Sequence, residues 1–282
     1  MQASDKNSLE QEALNRYFTD EASYWEEIYQ SEGVKEFVHQ QRLRLTLHMI
    51  DQICPLAGSR VLDVGCGAGI AATTLAERGY IVDAIDPVEA MVDLTCARAK
   101  KCGVESRLKS RLGNVYSLPF ADNTFAIVVA MGVLPWLASV KEPLNELRRV
   151  LQPGGHMIVT VDNKWALEWF FEPLTNPILG PAKELAKSIL RRFGYESTGV
   201  KWYPTSRAKF DAALVAARLE KVCSTTLGFG PFTFFDRELL SRRAGLKVHH
   251  ALQRLADHGV PVLRTSGLHY LVMARKGVGT LV

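Results

Sequence analysis

The spacing of apolar positions changes several times along the chain, and each change predicts a different kind of element. Within residues 60–160, short β-branched runs alternate with stretches in which apolar residues recur every three or four positions. This alternation is typical of βαβ units built around a mostly parallel sheet. Five strands are predicted at "RVLDVG", "YIVDAID", "SRLKSRLGN", "FAIVVAM" and "HMIVTV", with helices at "IAATTLAERG", "PVEAMVDLTCARAKKCG" and "KEPLNELRRVLQPGG".

Turn residues mark the ends of these predicted helices. Gly79 and Gly103 follow two of them, at the place where a glycine in the left-handed conformation commonly ends a helix. Pro87 is expected in the first turn of the second helix, where a proline loses no intrahelical hydrogen bond. The third helix is expected to stop at the Pro-Gly-Gly sequence of residues 153–155.

The segments that flank this core have other patterns. Residues 9–53 are predicted to be helical, with Leu43, Leu47 and Ile50 on one face. An aromatic-rich insertion follows residue 161, with an amphipathic helix predicted at "PAKELAKSILRRF". A helix at "SRAKFDAALVAA", a helical insertion over 236–258, and strands at "LEKVCSTTL" and "GLHYLVMARK" complete the prediction, which raises the number of strands to seven.

The composition is that of an ordinary folded protein, with 47% apolar and 23% charged residues. The net charge of +4 comes from scattered lysines and arginines, so the sequence does not require a nucleic-acid partner. The five cysteines have neither metal-binding nor disulfide spacing, which favours a reducing compartment. No secretion signal and no apolar run of membrane-spanning length is present, so a cytoplasmic location is expected.

The sequence "VLDVGCGAG" of residues 61–69 joins the first predicted strand to the first predicted helix. A glycine-rich turn at this place directs backbone N–H groups at a ligand, as in nucleotide sites. The dinucleotide fingerprint G-x-G-x-x-G would require a third glycine where this chain has Ile70. Asp63, inside the strand, can anchor the N–H groups of the loop or hold an ammonium group through water.

With this loop the chain resembles the class I S-adenosylmethionine-dependent methyltransferases, whose first motif has this form. "ELRRVLQPGGHMIVT" closely resembles the L-K-P-G-G turn of that family, and "GNVYSLPF" and "FAIVVAMGVLPWL" resemble two further motifs. The last of these departs from the family pattern, because Ala126, Pro135 and Trp136 replace its usual aspartate and histidine pair. The resemblance covers about residues 17–160 and implies S-adenosylmethionine as the cofactor.

The N-terminal sequence "YFTDEASYWEEIY" resembles the lid of ubiquinone-pathway O-methyltransferases, in the methyltransferase type 11 group, and of magnesium-protoporphyrin methyltransferases. In such enzymes an arginine of the following helix meets the cofactor carboxylate, and Arg44 or Arg42 occupies that region. Met131 matches a methionine that backs the cofactor.

Other positions gain expected roles from the same resemblance. Asp86 is expected to accept hydrogen bonds from both ribose hydroxyls, and it can also cap the following helix. Asn114 is expected to accept a hydrogen bond from the adenine amino group, while Met91 is either an adenine wall or plain core. The expected cofactor-binding residues are Asp63, Gly65, Cys66, Gly67, Gly69, Asp86, Pro87, Met91, Asn114, Val115, Met131, Arg44 and Tyr17.

The predicted fold class is α/β: a Rossmann-like, doubly wound, seven-stranded mixed sheet whose last strand is antiparallel. We expect residues 1–282 to form one methyltransferase domain, with helical elements covering the sheet. The expected parts are an N-terminal helical lid (1–55), a cofactor-binding core (56–162), a cap insertion (163–205) and C-terminal core elements (206–282) that contain an insertion (228–265).

The sequence does not single out a catalytic base or a metal site. His156 is interpreted as structural. The other histidines are also interpreted as structural, with a substrate-facing role as the alternative: His39, His48, His249, His250, His258 and His269. Glu168 and Glu172 are speculative partners for a carbon acceptor. The aromatic runs "LGFGPFTFF" and "NKWALEWFFEPL" are either buried core or the walls of an apolar substrate chamber.

The predicted function is S-adenosylmethionine-dependent methylation of a small, largely apolar metabolite, with oxygen preferred over carbon or nitrogen as the acceptor atom. Transfer from a sulfonium mainly requires orientation and desolvation, so the absence of an obvious base does not oppose it. The alternatives are a dinucleotide-dependent oxidoreductase, a non-catalytic adenosylmethionine-binding regulatory protein, and an RNA methyltransferase. The basic face predicted within residues 181–193 is either solvated or in peripheral contact with a membrane surface.

Overall fold

Seven strands in the described part of the chain form one twisted sheet. The computed structural model describes residues 3–29, 31–173, 175–180 and 200–278, with side chains from residue 11 onward. The helix expected at 181–193 lies outside these residues. The strands are β1 (Arg60–Val64), β2 (Ile81–Asp86), β3 (Leu108–Leu112), β4 (Phe125–Ala130), β5 (Leu151–Asp162), β6 (Leu219–Leu227), the short β7 (Thr233–Phe234) and β8 (Arg237–Glu238), and β9 (His269–Lys276).

The sheet has the order β3-β2-β1-β4-β5-β9-β6, and β7 and β8 form a separate hairpin. The strands β1 to β5 run parallel, whereas β9 is antiparallel to both of its neighbours, β5 and β6. The predicted seven-stranded mixed sheet, with its last strand antiparallel, is therefore confirmed.

The helices cover the sheet on both faces. They are α1 (Ala3–Asp20), α2 (Ala22–Glu27), α3 (Val34–Ile53), α4 (Ile70–Glu77), α5 (Glu89–Cys102), α6 (Lys141–Val150), α7 (Arg207–Ala216) and α8 (Arg242–Asp257). On one face, buried residues of α6 and α7 pack against the sheet, and on the other face those of α3, α4 and α5 do so. Covering both faces explains why the central strands are continuous apolar runs.

Some predicted boundaries need correction. Pro87 precedes the N-cap Val88 and lies outside α5 instead of in its first turn. The helix α6 ends at Val150, before the Pro-Gly-Gly sequence, because β5 already begins at Leu151. The pairing register of β4 and β5 shifts just after Leu151, so residues 153–155 form an irregular strand start. The segment expected to be helical over 236–258 begins with β8, the second strand of the β7–β8 hairpin, and its helix α8 starts at Arg242.

The N-terminal helices cover the edge of the sheet where β1 to β5 end. The helices α1 and α2 contact α5, and α3 contacts β5, β6, β9 and α8. Because β9 is antiparallel, its first residue, His269, lies at the same edge as the last residues of β1, β4 and β5. Among the described helices, none combines the length and the apolar character needed to cross a bilayer.

Candidate active site

The glycine loop between β1 and α4 is fixed to the neighbouring strand β2. The backbone N–H groups of Gly65 and Cys66 donate to the carbonyl oxygen of Ile85, at 2.8 and 3.1 Å. The φ angles of Gly65, Gly67 and Gly69 are +68°, +52° and +75°, in the left-handed region that side chains other than glycine rarely adopt. This conformation accounts for the three glycines at these positions.

The three glycines differ in what surrounds them. A Cβ atom at Gly65 would lie 2.3 Å from Val133, and one at Gly69 would lie 2.9 Å from the backbone of Thr95. At Gly67 no heavy atom lies within 4 Å of that position. Gly67 instead borders a cavity at the edge of the sheet, so its missing side chain leaves the backbone open to a ligand.

This difference predicts a selective loss of stability. We expect Gly69→Ala to lower the free energy of unfolding by about 1–3 kcal/mol through left-handed strain alone, and further through its contact with Thr95. Gly79→Ala is the matched control, because Gly79 has a φ of +91° and nothing within 4 Å. Urea unfolding measures the free energy of unfolding of both variants. Equal losses would show that the contact with Thr95 contributes nothing.

Asp86, the last residue of β2, lies beside the glycine loop and lines the cavity. Its Oδ2 accepts the N–H of Gly67 and its Oδ1 accepts the N–H of Val88, both at 3.0 Å. Burial raises the pKa of Asp86 to about 6, although these two hydrogen bonds favour the ionised form. Each carboxylate oxygen can accept a second hydrogen bond, so the group can still bind ligand hydroxyls.

Asp63 provides a second buried carboxyl group in the same cavity. Its side chain is buried, and Oδ2 has no hydrogen-bond partner within the described residues. Burial, reinforced by the nearby Asp86, raises the pKa of Asp63 to about 7. Two buried carboxyl groups beside one cavity would be stabilised in their charged forms by a cationic ligand.

The remaining predicted residues of the nucleotide side also meet here. Met91 and Val115 are buried, and the Asn114 Oδ1 accepts the N–H of Tyr116 at 2.9 Å, which holds the turn after β3. The predicted site residues that line the cavity are Asp63, Gly65, Cys66, Gly67, Asp86, Pro87, Met91, Asn114, Val115 and Met131. Gly69 supports the loop as the N-cap of α4 without facing the cavity.

Arg44 and Tyr17 do not reach the cavity, which corrects two expectations. The guanidinium of Arg44 lies over the ring of Phe37, 4.9 Å from its centroid. Successive residues of a helix are turned by about 100°, so Arg42 points to almost the opposite side of α3 and lines the cavity. Phe18, not Tyr17, lines the cavity from α1.

Arg42 is buried, being 5% exposed, and lies beside Gly132 at the end of β4. Its Nε is buried without a hydrogen-bond partner among the described residues, and the carboxylate of Asp162 lies near enough to interact with its charge. A buried cation needs a compensating charge. Arg42 is therefore suited to bind the carboxylate of a ligand.

Part of the cavity wall is aromatic. The ring of Phe18 meets that of Trp136 edge to face at 5.4 Å, and Phe18 also contacts Trp25 at 5.8 Å. Trp136 occupies one of the positions where the motif normally has histidine, so this departure replaces a polar side chain with an apolar wall. The aromatic and apolar lining residues of this part are Leu14, Phe18, Trp25, Tyr29, Pro135, Trp136 and Leu137.

Further polar residues line the cavity, among them His39, Asp162 and His269, of which Asp162 was not expected at a site from the sequence. Asp162 and His269 are directly opposite each other in the pairing of β5 with β9. The Asp162 Oδ1 lies 2.8 Å from the His269 Nδ1, and the rings of His39 and His269 are 5.7 Å apart. Only the register of these strands could have predicted the pair.

The two aromatic runs of the insertions do not line this cavity. Phe229 is buried core, whereas Phe234 and Phe235 are exposed. Glu168 is buried with a pKa raised well above its usual range by burial, and Glu172 accepts the N–H of Asp236 at 2.9 Å. Neither glutamate lines the cavity, and within the described residues its aromatic lining comes from the N-terminal helices and from the segment after β4.

The strand order and the glycine loop beside the cavity are those of the Rossmann-like methyltransferase fold. Residues 62–159 match the protein family described as "Methyltransferase domain". The match includes the glycine loop, Asp86 and the strands β2 to β4, with most of β1 and β5.

The chain is also similar to curated methyltransferases. The chain is 33% identical to the ubiquinone/menaquinone biosynthesis C-methyltransferase of Roseobacter denitrificans over 154 residues, which are 54% of this chain and 58% of the relative. It is 28% identical to the ubiquinone biosynthesis O-methyltransferase of Rhizobium leguminosarum over 170 residues, 56% of this chain and 65% of the relative. The chain thus spans less than two thirds of the length of these relatives.

A solved structure confirms the fold across nearly the whole chain. Magnesium protoporphyrin IX methyltransferase from Synechocystis, with bound S-adenosylhomocysteine, superposes with a TM-score of 0.63 at 16% identity. The match covers 94% of this chain and 98% of that protein. At this identity the similarity establishes the architecture alone.

Proposed function

We propose that the protein is an S-adenosylmethionine-dependent methyltransferase that acts on a small, largely apolar metabolite, with transfer to oxygen preferred. The observation that carries this proposal is a cavity lined both by the glycine loop, Asp86 and Arg42 and by the aromatic side chains of Phe18, Trp25 and Trp136. Its polar and charged lining residues are suited to a nucleotide and amino-acid ligand. Its aromatic lining residues are suited to an apolar acceptor.

The residues present fit the cofactor group by group. Asp86 would accept the ribose hydroxyls, Asn114 and Val115 would border the adenine, and Arg42 would bind the carboxylate. The unpartnered Oδ2 of Asp63 and Nε of Arg42 are the buried polar atoms that this ligand would help to satisfy. When bound, the cofactor supplies an activated methyl group on a sulfonium, and the two nearby carboxyl groups favour that positive charge.

The aromatic lining residues support an acceptor with a flat ring. Phe18, Trp25 and Trp136 offer edges and faces for such a ring, and aromatic pairs of this kind add about 0.5–1.5 kcal/mol beyond area burial. One relative is named as a C-methyltransferase and another as an O-methyltransferase, both in ubiquinone biosynthesis. Their names support a quinol-like acceptor and leave both atoms as options for the test.

The test is transfer of tritium-labelled methyl from S-adenosylmethionine to candidate acceptors. We expect label in the organic extract with a short-chain demethylmenaquinol or a catechol, and none in precipitated RNA. Label in RNA would favour the RNA methyltransferase alternative. Cofactor binding without transfer to any acceptor would contradict the proposed activity and favour a regulatory binding protein.

Because Arg42 lines the cavity and Arg44 does not, replacing each should affect cofactor affinity differently. Arg42→Met should weaken S-adenosylmethionine binding about tenfold, because a charge-assisted hydrogen bond contributes about 1.5–3 kcal/mol. Arg44→Met is the control, since Arg44 stacks on Phe37 outside the cavity. Calorimetric titration measures both affinities. Loss of affinity in the Arg44 variant alone would contradict the assignment.

A further inference from the structure

The pair formed by Asp162 and His269 is held firmly at the edge of the sheet. The two residues are partners in the antiparallel pairing of β5 and β9, and their side chains are 15% and 6% exposed. The Asp162 Oδ2 accepts the indole N–H of Trp202 at 2.6 Å, which fixes the carboxylate from its other side. The pair is therefore part of the fold and not a chance surface contact.

We propose that His269 is the general base of the transfer, that Asp162 is its positioning residue, and that the acceptor carries an ionisable O–H group such as a phenol. This inference rests on the proposed function, and it deepens that function by naming the base and the class of acceptor.

The geometry leaves one nitrogen of His269 ready for this role. The Nδ1–H donates to Asp162, so the lone pair of the neutral ring lies on Nε2. Nε2 is buried without a hydrogen-bond partner among the described residues, while the ring lines the cavity. Leaving a buried polar atom unpaired costs about 1–3 kcal/mol, and an acceptor hydroxyl would remove that cost.

Burial and the surrounding charges favour the neutral form of the His269 ring, which can accept a proton. Burial lowers the pKa of His269, Arg42 lowers it further, and Asp162 opposes both. Burial alone would raise the pKa of Asp162, but His269, Trp202 and Arg42 outweigh it, so this carboxylate stays ionised. The other groups nearby are His39, whose pKa burial also holds well below its usual range, and the buried Glu168, which faces Asp162.

The chemical step balances with these groups alone. The acceptor O–H gives its proton to Nε2 of His269 while its oxygen forms a bond to the methyl carbon. The bond between that carbon and sulfur breaks, and its electron pair remains on sulfur, which becomes a neutral thioether. The imidazolium is stabilised by Asp162 until its proton passes to solvent. General-base assistance of this kind contributes about a hundredfold or more in rate.

The experiment compares methyl transfer to a panel of phenols by the protein and its variants. Catechol, 4-nitrophenol and a naphthohydroquinone serve as probes, and S-adenosylhomocysteine binding is measured in parallel. We expect O-methylation whose kcat rises with pH through a pKa below the ordinary histidine value of about 6.5. His269→Gln should lower kcat about a hundredfold and abolish that pH dependence, with unchanged S-adenosylhomocysteine affinity.

Two further variants make the outcome decisive. Asp162→Asn should lower kcat and shift the pH profile, which a merely structural residue would not do. His156→Gln, in the half-buried part of β5 away from the cavity, should match wild type. A wild-type kcat or an unchanged pH dependence of kcat in His269→Gln would overturn the proposal. Exclusive C-methylation, or no methyl transfer to any hydroxyl, by the wild-type protein would also overturn it. If the wild-type protein does not bind S-adenosylhomocysteine, the proposed function itself is refuted.

Discussion

The Gly67→Val variant is expected to lose S-adenosylmethionine binding completely while remaining folded. The Cβ of a residue at this position would point into open space, with no protein atom within 4 Å, and that space is the cavity. A branched side chain would fill the volume that the ligand needs beside the backbone. The loop N–H groups could then no longer approach the cofactor.

The strain of the substitution must be separated from its effect on binding. Gly67 has a φ of +52°, so valine there is unfavourable by about 1–3 kcal/mol whatever the ligand does. Gly103→Val provides the control, because Gly103 has a φ of +66°, ends α5, has nothing within 4 Å and does not border the cavity. Calorimetry and urea unfolding are measured on both variants. Retained binding in Gly67→Val would mean that the loop is not the cofactor site.

Replacing Asp86 should have the second largest effect. Asp86→Asn removes the charge and one acceptor oxygen from a group expected to bind two hydroxyls. We expect S-adenosylmethionine affinity to fall at least about tenfold, since hydrogen bonds to charged groups contribute about 1.5–3 kcal/mol. Asp83→Asn is the matched control on the same strand, because Asp83 is equally buried but pairs with Arg60 and Arg111 outside the cavity.

The pH dependence of binding gives a second test of Asp86. Its pKa of about 6 and the Asp63 pKa of about 7 both lie above ordinary carboxyl values. Below these values both groups are protonated and lose the negative charge that favours a sulfonium. Wild-type affinity should therefore fall as the pH drops from 8 to about 5.5, and the fall should be shallower in Asp86→Asn. Unchanged affinity in the variant would contradict the ribose assignment.

The sheet and the glycine loop could be predicted from the sequence because their signals are local. Continuous β-branched runs identify buried strands, and the left-handed turn of the loop requires glycine at Gly65, Gly67 and Gly69. The residue at which α6 ends was harder to predict from the sequence. The Pro-Gly-Gly sequence suggested that α6 ends there, whereas pairing with β4 extends β5 back to Leu151.

The rest of the site depends on how distant segments meet. Choosing Arg42 over Arg44 requires knowing which face of α3 is turned to the sheet, and two arginines separated by one residue do not reveal it. Pairing Asp162 with His269 requires the register of strands more than a hundred positions apart. Which aromatic side chains line the cavity is likewise a tertiary property, since Phe18 and Trp25 come from the N-terminal helices and Trp136 from the segment after β4.

The most direct test of the central claim is calorimetric titration of the protein with S-adenosylmethionine and, separately, with S-adenosylhomocysteine. The account predicts one site for each ligand, with a dissociation constant on the order of 1 μM and a matching rise in thermal stability. Absence of both heat and thermal shift with either ligand would contradict it, because the glycine loop, Asp86 and Arg42 would then have no cofactor to bind.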